Sequence, residues 1–270
     1  MTEAPSATPR LSATVLLLRD GADGLEVLMV ARHHEIDFAS GAYVFPGGKT
    51  TASDTAPHWS RFADCPAGLQ TAERTVRIAA IREAFEESGL LLARSEDLRG
   101  LGMPLVDADR ALALDPHRAA VDRGETDFAD ILSAAGLVLA IDALVPFARW
   151  ITPRMMPKRF DTYFFCAAAP KGQLAACDGR ETTDAVWLRP QEALDAADRG
   201  ERTIIFPTKM NLRRLAESET VAAALKQAEA RPLVAVEPEV RSGTDGPQLV
   251  LPEAAGYGPV VEPIDAIMRR

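Results

Sequence analysis

Three glutamates near residue 85 are the side chains of this sequence best suited to chemistry. Glu83, Glu86 and Glu87 stand at positions i, i+3 and i+4, so on a helix their carboxylates share one face. Like charges at this spacing cost about 0.2–0.5 kcal/mol, and anions in the last helical turn oppose the macrodipole by about 0.3–1 kcal/mol. A sequence that accepts both penalties just before a glycine, Gly89, indicates a site for a divalent cation. The alternative is an acidic helix face turned to water.

The chemistry of these oxygens selects a hard ion, so Mg²⁺ or Mn²⁺ is the expected cofactor. Such an ion neutralises charge on a phosphoryl group and activates water for in-line attack. Arg82 precedes Glu83 in the chain and is expected to orient that carboxylate, with an ordinary surface arginine as the alternative reading. The cluster therefore predicts metal-assisted phosphate chemistry.

The overall charge restricts the partners of the chain. There are 30 basic and 39 acidic residues, a net charge of −9, which repels phosphate backbones and anionic lipids, so no nucleic acid and no membrane is expected as a partner. The three cysteines lack CxxC spacing, and the N-terminus has no basic start and no long apolar run. These features favour a reducing, cytoplasmic location.

Hydrophobic periodicity predicts the elements that must position the glutamates. Strands are expected at 13–19 and 25–32 as an antiparallel hairpin, and later at 144–151, 159–167, 183–188 and 203–206. Helices are expected at 71–88, at one or two places within 95–135, and at 190–197, 209–217 and 220–230. Phe45-Pro46-Gly47-Gly48 predicts a corner at which no regular strand continues. Strands interrupted by helices favour an α/β fold with a mixed sheet.

The motif FPGG at residues 45–48, followed by a helix that carries REAFEESGL at 82–90, resembles the Nudix box of Nudix hydrolases, G-x5-E-x7-R-E-U-x-E-E-x-G-U. The second half matches at every fixed position. The resemblance implies an α/β/α sandwich around a mixed sheet and Mg²⁺-dependent hydrolysis of a diphosphate linked to another group. It also implies that Glu83, Glu86 and Glu87 bind metal or activate water, that Arg82 orients Glu83, and that the Gly48 carbonyl completes the metal shell.

The first half of the box departs from this pattern. Counting back from Arg82 places the early glutamate at Arg74, and the chain has twenty more residues between Gly48 and Arg82 than the pattern allows. We therefore expect an insertion at 49–70. Such an insertion, with FDTYFF at 160–165 and FPT at 206–208, is similar to the Nudix branch that includes the mammalian peroxisomal coenzyme A diphosphatases.

Three arginines are candidates for binding the substrate. A signature of coenzyme A-cleaving members matches at Arg32, although Asp37 stands where that signature has an arginine; a strand-end arginine facing water is the alternative for Arg32. Arg154 and Arg159 form a basic spot suited to phosphate oxygens, with a solvated loop as the alternative.

The resulting prediction is a single Nudix domain over 12–230, with a flexible N-terminus at 1–11, extra helices and a C-terminal extension at 231–270. Its expected partner is a small-molecule diphosphate, such as coenzyme A or acyl-coenzyme A, and a homodimer is left open. The alternative substrates are ADP-ribose, a nucleotide sugar or a dinucleoside polyphosphate. A Nudix-fold module that binds ligand without catalysis is the third reading.

Overall fold

A computed structural model describes residues 7–33, 41–243 and 246–263. The strands of these residues are β1 (Arg10–Gly21), β2 (Gly24–Arg32), β3 (Tyr43–Val44), β4 (Gly47–Lys49), β5 (Ala93–Ser95), β6 (Leu137–Leu139), β7 (Val145–Ile151), β8 (Phe160–Ala168), β9 (Thr182–Leu188), β10 (Ala235–Val236), β11 (Glu239–Gly243), β12 (Gly246–Val250) and β13 (Val261–Pro263). The α-helices are α1 (Trp59–Phe62), α2 (Thr71–Ser88), α3 (Ala108–Leu112), α4 (Arg118–Asp122), α5 (Phe128–Ala134), α6 (Pro190–Asp198), α7 (Phe206–Leu215) and α8 (Val221–Ala230).

The main sheet has eight strands and is mixed, as predicted. Its order is β10-β7-β8-β1-β2-β3, with β4 paired to β1 and β9 paired to β2. The hairpin of β1 and β2 is antiparallel, whereas β1 runs parallel to β8. The small sheet β11-β12-β13 and the ribbon β5-β6 are separate.

Side chains of β1 alternate between two cores, as a strand covered on both faces requires. Ala13, Val15 and Leu17 pack with α2 on one face, and Leu16 and Leu18 pack with α7 and α8 on the other. The expected α/β/α sandwich is therefore confirmed.

Two expectations about local structure are wrong. Residues 203–206 form no strand; Phe206 begins α7, because Pro207 fits the first turn of a helix, where its missing N–H costs nothing. Gly47 and Gly48 lie in the short strand β4, opposite Thr14 and Ala13 of β1, and so do not interrupt regular structure. Neither glycine has a positive φ, so their role is close approach and not a sharp turn.

The main sheet also reaches past both ends of the predicted domain. β1 begins at Arg10, ahead of residue 12, and β10 adds a strand to β7 from beyond residue 230.

No helix among the described residues is long and apolar enough to cross a bilayer.

Candidate active site

Helix α2 carries the three glutamates and ends where its sequence indicates. Gly89 adopts φ 71° and donates its N–H to Phe85 O at 2.9 Å, which closes the helix in the left-handed conformation that glycine tolerates. Glu83, Glu86 and Glu87 are only 8%, 6% and 4% exposed. The alternative of an acidic helix face turned to water is therefore wrong. The end of α2 is covered by the sheet, by the insertion at 49–70 and by α4.

The two glycines of β4 allow this end of α2 to approach the sheet. A Cβ built on Gly48 would lie 2.4 Å from Glu83 Oε2, and one on Gly47 would lie 2.5 Å from Ala13 O. The Gly47 N–H donates to Glu87 Oε2 at 2.9 Å. Any larger residue at Gly48 would displace the Glu83 carboxylate.

Arg82 lies at the centre of the carboxylates and contacts more of them than the sequence predicted. Its Nη1 is 2.9 Å from Glu83 Oε1 and 2.8 Å from Glu86 Oε2. Its Nη2 donates to Lys49 O at 2.9 Å. The guanidinium therefore fixes the strand that carries the glycines against the helix that carries the glutamates.

A fourth carboxylate, Asp54, was missed by the sequence analysis. It is fully buried in the inserted segment and accepts two bonds from Arg82, from Nε at 2.9 Å and from Nη2 at 3.1 Å. The signal was present, because Asp54 is the sixth residue after Gly48, the place where the Nudix pattern has its early carboxylate. Counting back from Arg82 to Arg74 was misleading, since the twenty extra residues lie between Asp54 and Arg82.

Burial disfavours the ionised forms of the three glutamates. It raises the pKa of Glu86 to about 8, and it raises the pKa of Glu83 despite the adjacent Arg82. The pKa of Glu87 is well above its usual range because of burial and the nearby Glu83 charge, while the Gly47 N–H and Arg32 oppose that rise. A bound cation would favour the ionised carboxylates and so lower these pKa values.

The donor chemistry of the site fits a hard cation. Glu86 Oε1 is buried without a hydrogen-bond partner among the described residues, and oxygen ligands are those that Mg²⁺ prefers. Within the same part of the chain, no three acidic, histidine or cysteine side chains already converge as a ligand set. The Arg82 guanidinium lies between the Glu83 and Glu86 carboxylates.

The arginines proposed for substrate binding lie in two different environments. Arg32 is close enough to lower the pKa of Glu87, and its buried Nε donates to no acceptor among the described residues. Arg159 is buried and donates to Thr152 O at 2.9 Å and to Glu237 Oε1 at 2.7 Å, and Arg154 lies 3.5 Å from the same carboxylate. Asp37 lies outside the described residues.

Comparisons with known proteins agree with this site. The family model of the NUDT19 Nudix domain matches residues 68–215. Acyl-coenzyme A diphosphatase NUDT19 of Xenopus laevis is 30% identical, with 63% of this chain and 54% of the relative covered. The human protein of that name is 28% identical, with 72% of this chain and 61% of the relative covered. The chain thus spans little more than half the length of these relatives.

A solved structure is similar over most of its length. The crystal structure of a NUDIX hydrolase from Alicyclobacillus acidocaldarius has a TM-score of 0.68 and 29% sequence identity, and the match covers 81% of this chain and 96% of that one.

Proposed function

The chain belongs to the Nudix hydrolase family, in the branch of the NUDT19 Nudix domain, and from this premise we propose that it hydrolyses the diphosphate linkage of coenzyme A or an acyl-coenzyme A with Mg²⁺ or Mn²⁺. One observation carries the proposal. Three buried glutamates at the end of α2 lie against Gly47 and Gly48 of β4. Arg82 contacts two of them, Glu83 and Glu86, with one guanidinium.

Each residue of the cluster has a separate task in this proposal. Glu83, Glu86, Glu87 and the Gly48 carbonyl would hold the cation, which when bound supplies charge neutralisation at the phosphates and a more acidic water. Arg82 holds the Glu83 and Glu86 carboxylates in place, and Asp54 in turn fixes Arg82. Glu86 Oε1, which has no partner among the described residues, is available to the cation or to a proton from water.

Two observations support the choice of substrate class. The relatives at 30% and 28% identity are both named acyl-coenzyme A diphosphatases. Arg32, which matches the coenzyme A signature, is near enough to lower the pKa of Glu87, and its buried Nε lacks a partner among the described residues. A guanidinium there suits the oxygens of a phosphate. Arg159 is buried and already donates to Glu237, whereas Arg154 is exposed and can reach a substrate without losing a buried contact.

The reading as a module without catalysis has lost its main support. It rested on the missing early glutamate at Arg74 and on the inserted loop, and that loop supplies a carboxylate, Asp54, which accepts two hydrogen bonds from Arg82. The cytoplasmic location remains a prediction, with which the free cysteines are consistent. The homodimer also remains a prediction, and light scattering can test it.

The test is a substrate panel with product identification by mass spectrometry. Purified protein with Mg²⁺ is incubated with coenzyme A, an acyl-coenzyme A, ADP-ribose, a nucleotide sugar and a dinucleoside polyphosphate. We expect water to add across the diphosphate of coenzyme A and release 3′,5′-ADP and phosphopantetheine, and we expect Glu87→Gln to abolish this activity. Cleavage of another member alone would reassign the substrate, and binding without cleavage of any member would refute the enzymatic function.

A further inference from the structure

The last turn of α2 has its orphan carbonyls bound by groups from elsewhere in the chain. A helix leaves its last four C=O groups without intrahelical partners, and in α2 two of these belong to Glu86 and Glu87. Ser88 O accepts from Ala176 N at 2.9 Å. The same backbone that carries the candidate metal ligands is therefore held from outside the helix.

Arg118, at the start of α4, binds the carbonyl of Glu86. Its side chain is buried, and its Nε and Nη2 donate to Glu86 O at 3.2 and 3.0 Å. Nη2 also donates to Ala176 O at 2.9 Å, and Nη1 donates to Asp115 Oδ1 at 3.0 Å. One guanidinium thus joins three segments: the end of α2, the inserted helix α4 and the chain that leads into β9.

We infer that Arg118 is a positioning residue for Glu86, an inference that rests on the proposed metal-dependent function. Glu86 is held at both ends, its main chain by Arg118 and its carboxylate by Arg82. Arg118 also brings a positive charge to the last turn of α2, which contains no basic residue of its own. A cation at a helix C-terminus offsets the dipole, and here it does so beside the glutamates.

Glu87 has a weaker counterpart of this contact. Thr182 Oγ1 lies 3.2 Å from Glu87 O but only 2.8 Å from Asp178 Oδ1. A hydroxyl has a single proton to donate, so these two acceptors compete for it. Arg118, with several N–H donors in a fixed plane, is the stronger constraint on the last turn.

A buried arginine elsewhere on α2 provides a matched control. Arg77 is also buried and also donates to two main-chain carbonyls, those of Ile141 and Leu144. These carbonyls lie outside α2, and the residue is more than one helical turn before Arg82. Arg77→Met removes the same kind of contact without touching the backbone of Glu86 or Glu87.

The experiment compares Arg118→Met, Arg118→Lys and Arg77→Met in the full chain. Mn²⁺ binding is followed by electron paramagnetic resonance and turnover by kcat and KM, at a temperature where circular dichroism shows each variant to be folded. Loss of a partner that orients a metal ligand typically lowers metal affinity about 10- to 100-fold, which is the change expected for Arg118→Met. Arg118→Lys should recover part of it, because lysine keeps the charge but not the planar fork.

The outcomes are separable. Weaker Mn²⁺ binding in Arg118→Met, with wild-type affinity in Arg77→Met, would support the role. Wild-type affinity in Arg118→Met, or an equal loss in both variants, would overturn it while leaving the proposed function intact. A wild-type chain that binds no Mn²⁺ would remove the proposed function and this role together.

Discussion

Two charge clusters lie on the α2 side of the sheet, and they differ in how their charges are balanced. The Arg82 cluster consists of Asp54, Arg82, Glu83, Glu86 and Glu87. The Arg94 cluster consists of Asp64, Arg94, Arg99 and Asp142. The first has four carboxylates and one guanidinium, which contacts three of them, whereas in the second the buried Arg94 binds both carboxylates and the exposed Arg99 binds one of them.

Hydrogen bonding follows the same division. In the Arg94 cluster both carboxylates are satisfied: Asp64 accepts from Arg94, Arg99 and Gly100 N, and Asp142 accepts from Arg94 through both of its oxygens. In the Arg82 cluster Glu86 Oε1 lacks a partner among the described residues, and burial raises the pKa of Glu86 to about 8. Complete pairing is typical of a structural network, whereas unpaired buried charge indicates a place for a ligand.

The largest expected effect is on turnover in the unbalanced cluster. Glu86→Gln and Glu87→Gln should each lower Mg²⁺-dependent kcat by at least about 100-fold, as expected for loss of a group that handles a proton or an ion in the reaction. Both variants should fold, because each removes a buried charge. Steady-state kinetics and circular dichroism measure the two quantities, and undiminished turnover in both variants would contradict the mechanism.

In the balanced cluster, the expected effect is on stability. Arg94→Met leaves the carboxylates of Asp64 and Asp142 buried without their main partner, which typically costs about 3–5 kcal/mol. Urea denaturation measures the loss. The control is Arg241→Met, since Arg241 is exposed and, among the described residues, its ion pair is with Glu239, two residues away, and its effect should stay within about 0.5 kcal/mol. Similar losses in both variants would show that the Arg94 cluster is not a stabilising network.

A smaller effect is expected at Asp54, which connects the inserted segment to the Arg82 cluster. Asp54→Ala should lower turnover about tenfold, because Arg82 loses a bidentate partner while keeping its contacts with Glu83 and Glu86. Asp54→Glu, which restores the residue type of the Nudix pattern, should retain more activity than Asp54→Ala. Wild-type turnover in Asp54→Ala would show that Asp54 does not position Arg82 for catalysis.

Local patterns in the sequence predicted most of the sandwich. The hairpin, the bounds of α2 and the strands β7 to β9 follow from periodicity and from the glycine stop at Gly89. The ribbon β5-β6 and the sheet β11-β13 were missed, because strands of three to five residues give too short a pattern. FPGG was misread, since the sequence does not distinguish a glycine that turns the chain from one that admits a neighbouring carboxylate.

The site was predictable where its residues are close in sequence and not where they meet through the fold. Glu83, Glu86, Glu87 and Arg82 lie on one helix, so their spacing alone brings them together. Arg118 reaches Glu86 O from 32 residues away, and no local spacing reveals that contact. Asp54 is an intermediate case. Its position six residues after Gly48 identifies it in the sequence, but the insertion removes the regular spacing that would relate it to Arg82.

The central claim is that the buried carboxylates at the end of α2 bind a divalent cation. A calorimetric titration of Mn²⁺ into the metal-free protein tests it most directly. We expect the wild-type chain to bind the ion and to gain about 2.7 kcal/mol of unfolding free energy at a concentration one hundred times Kd. We expect the double variant Glu86→Gln/Glu87→Gln to lose both the binding and the gain. No binding by the wild-type chain, or equal binding by the double variant, would contradict the claim.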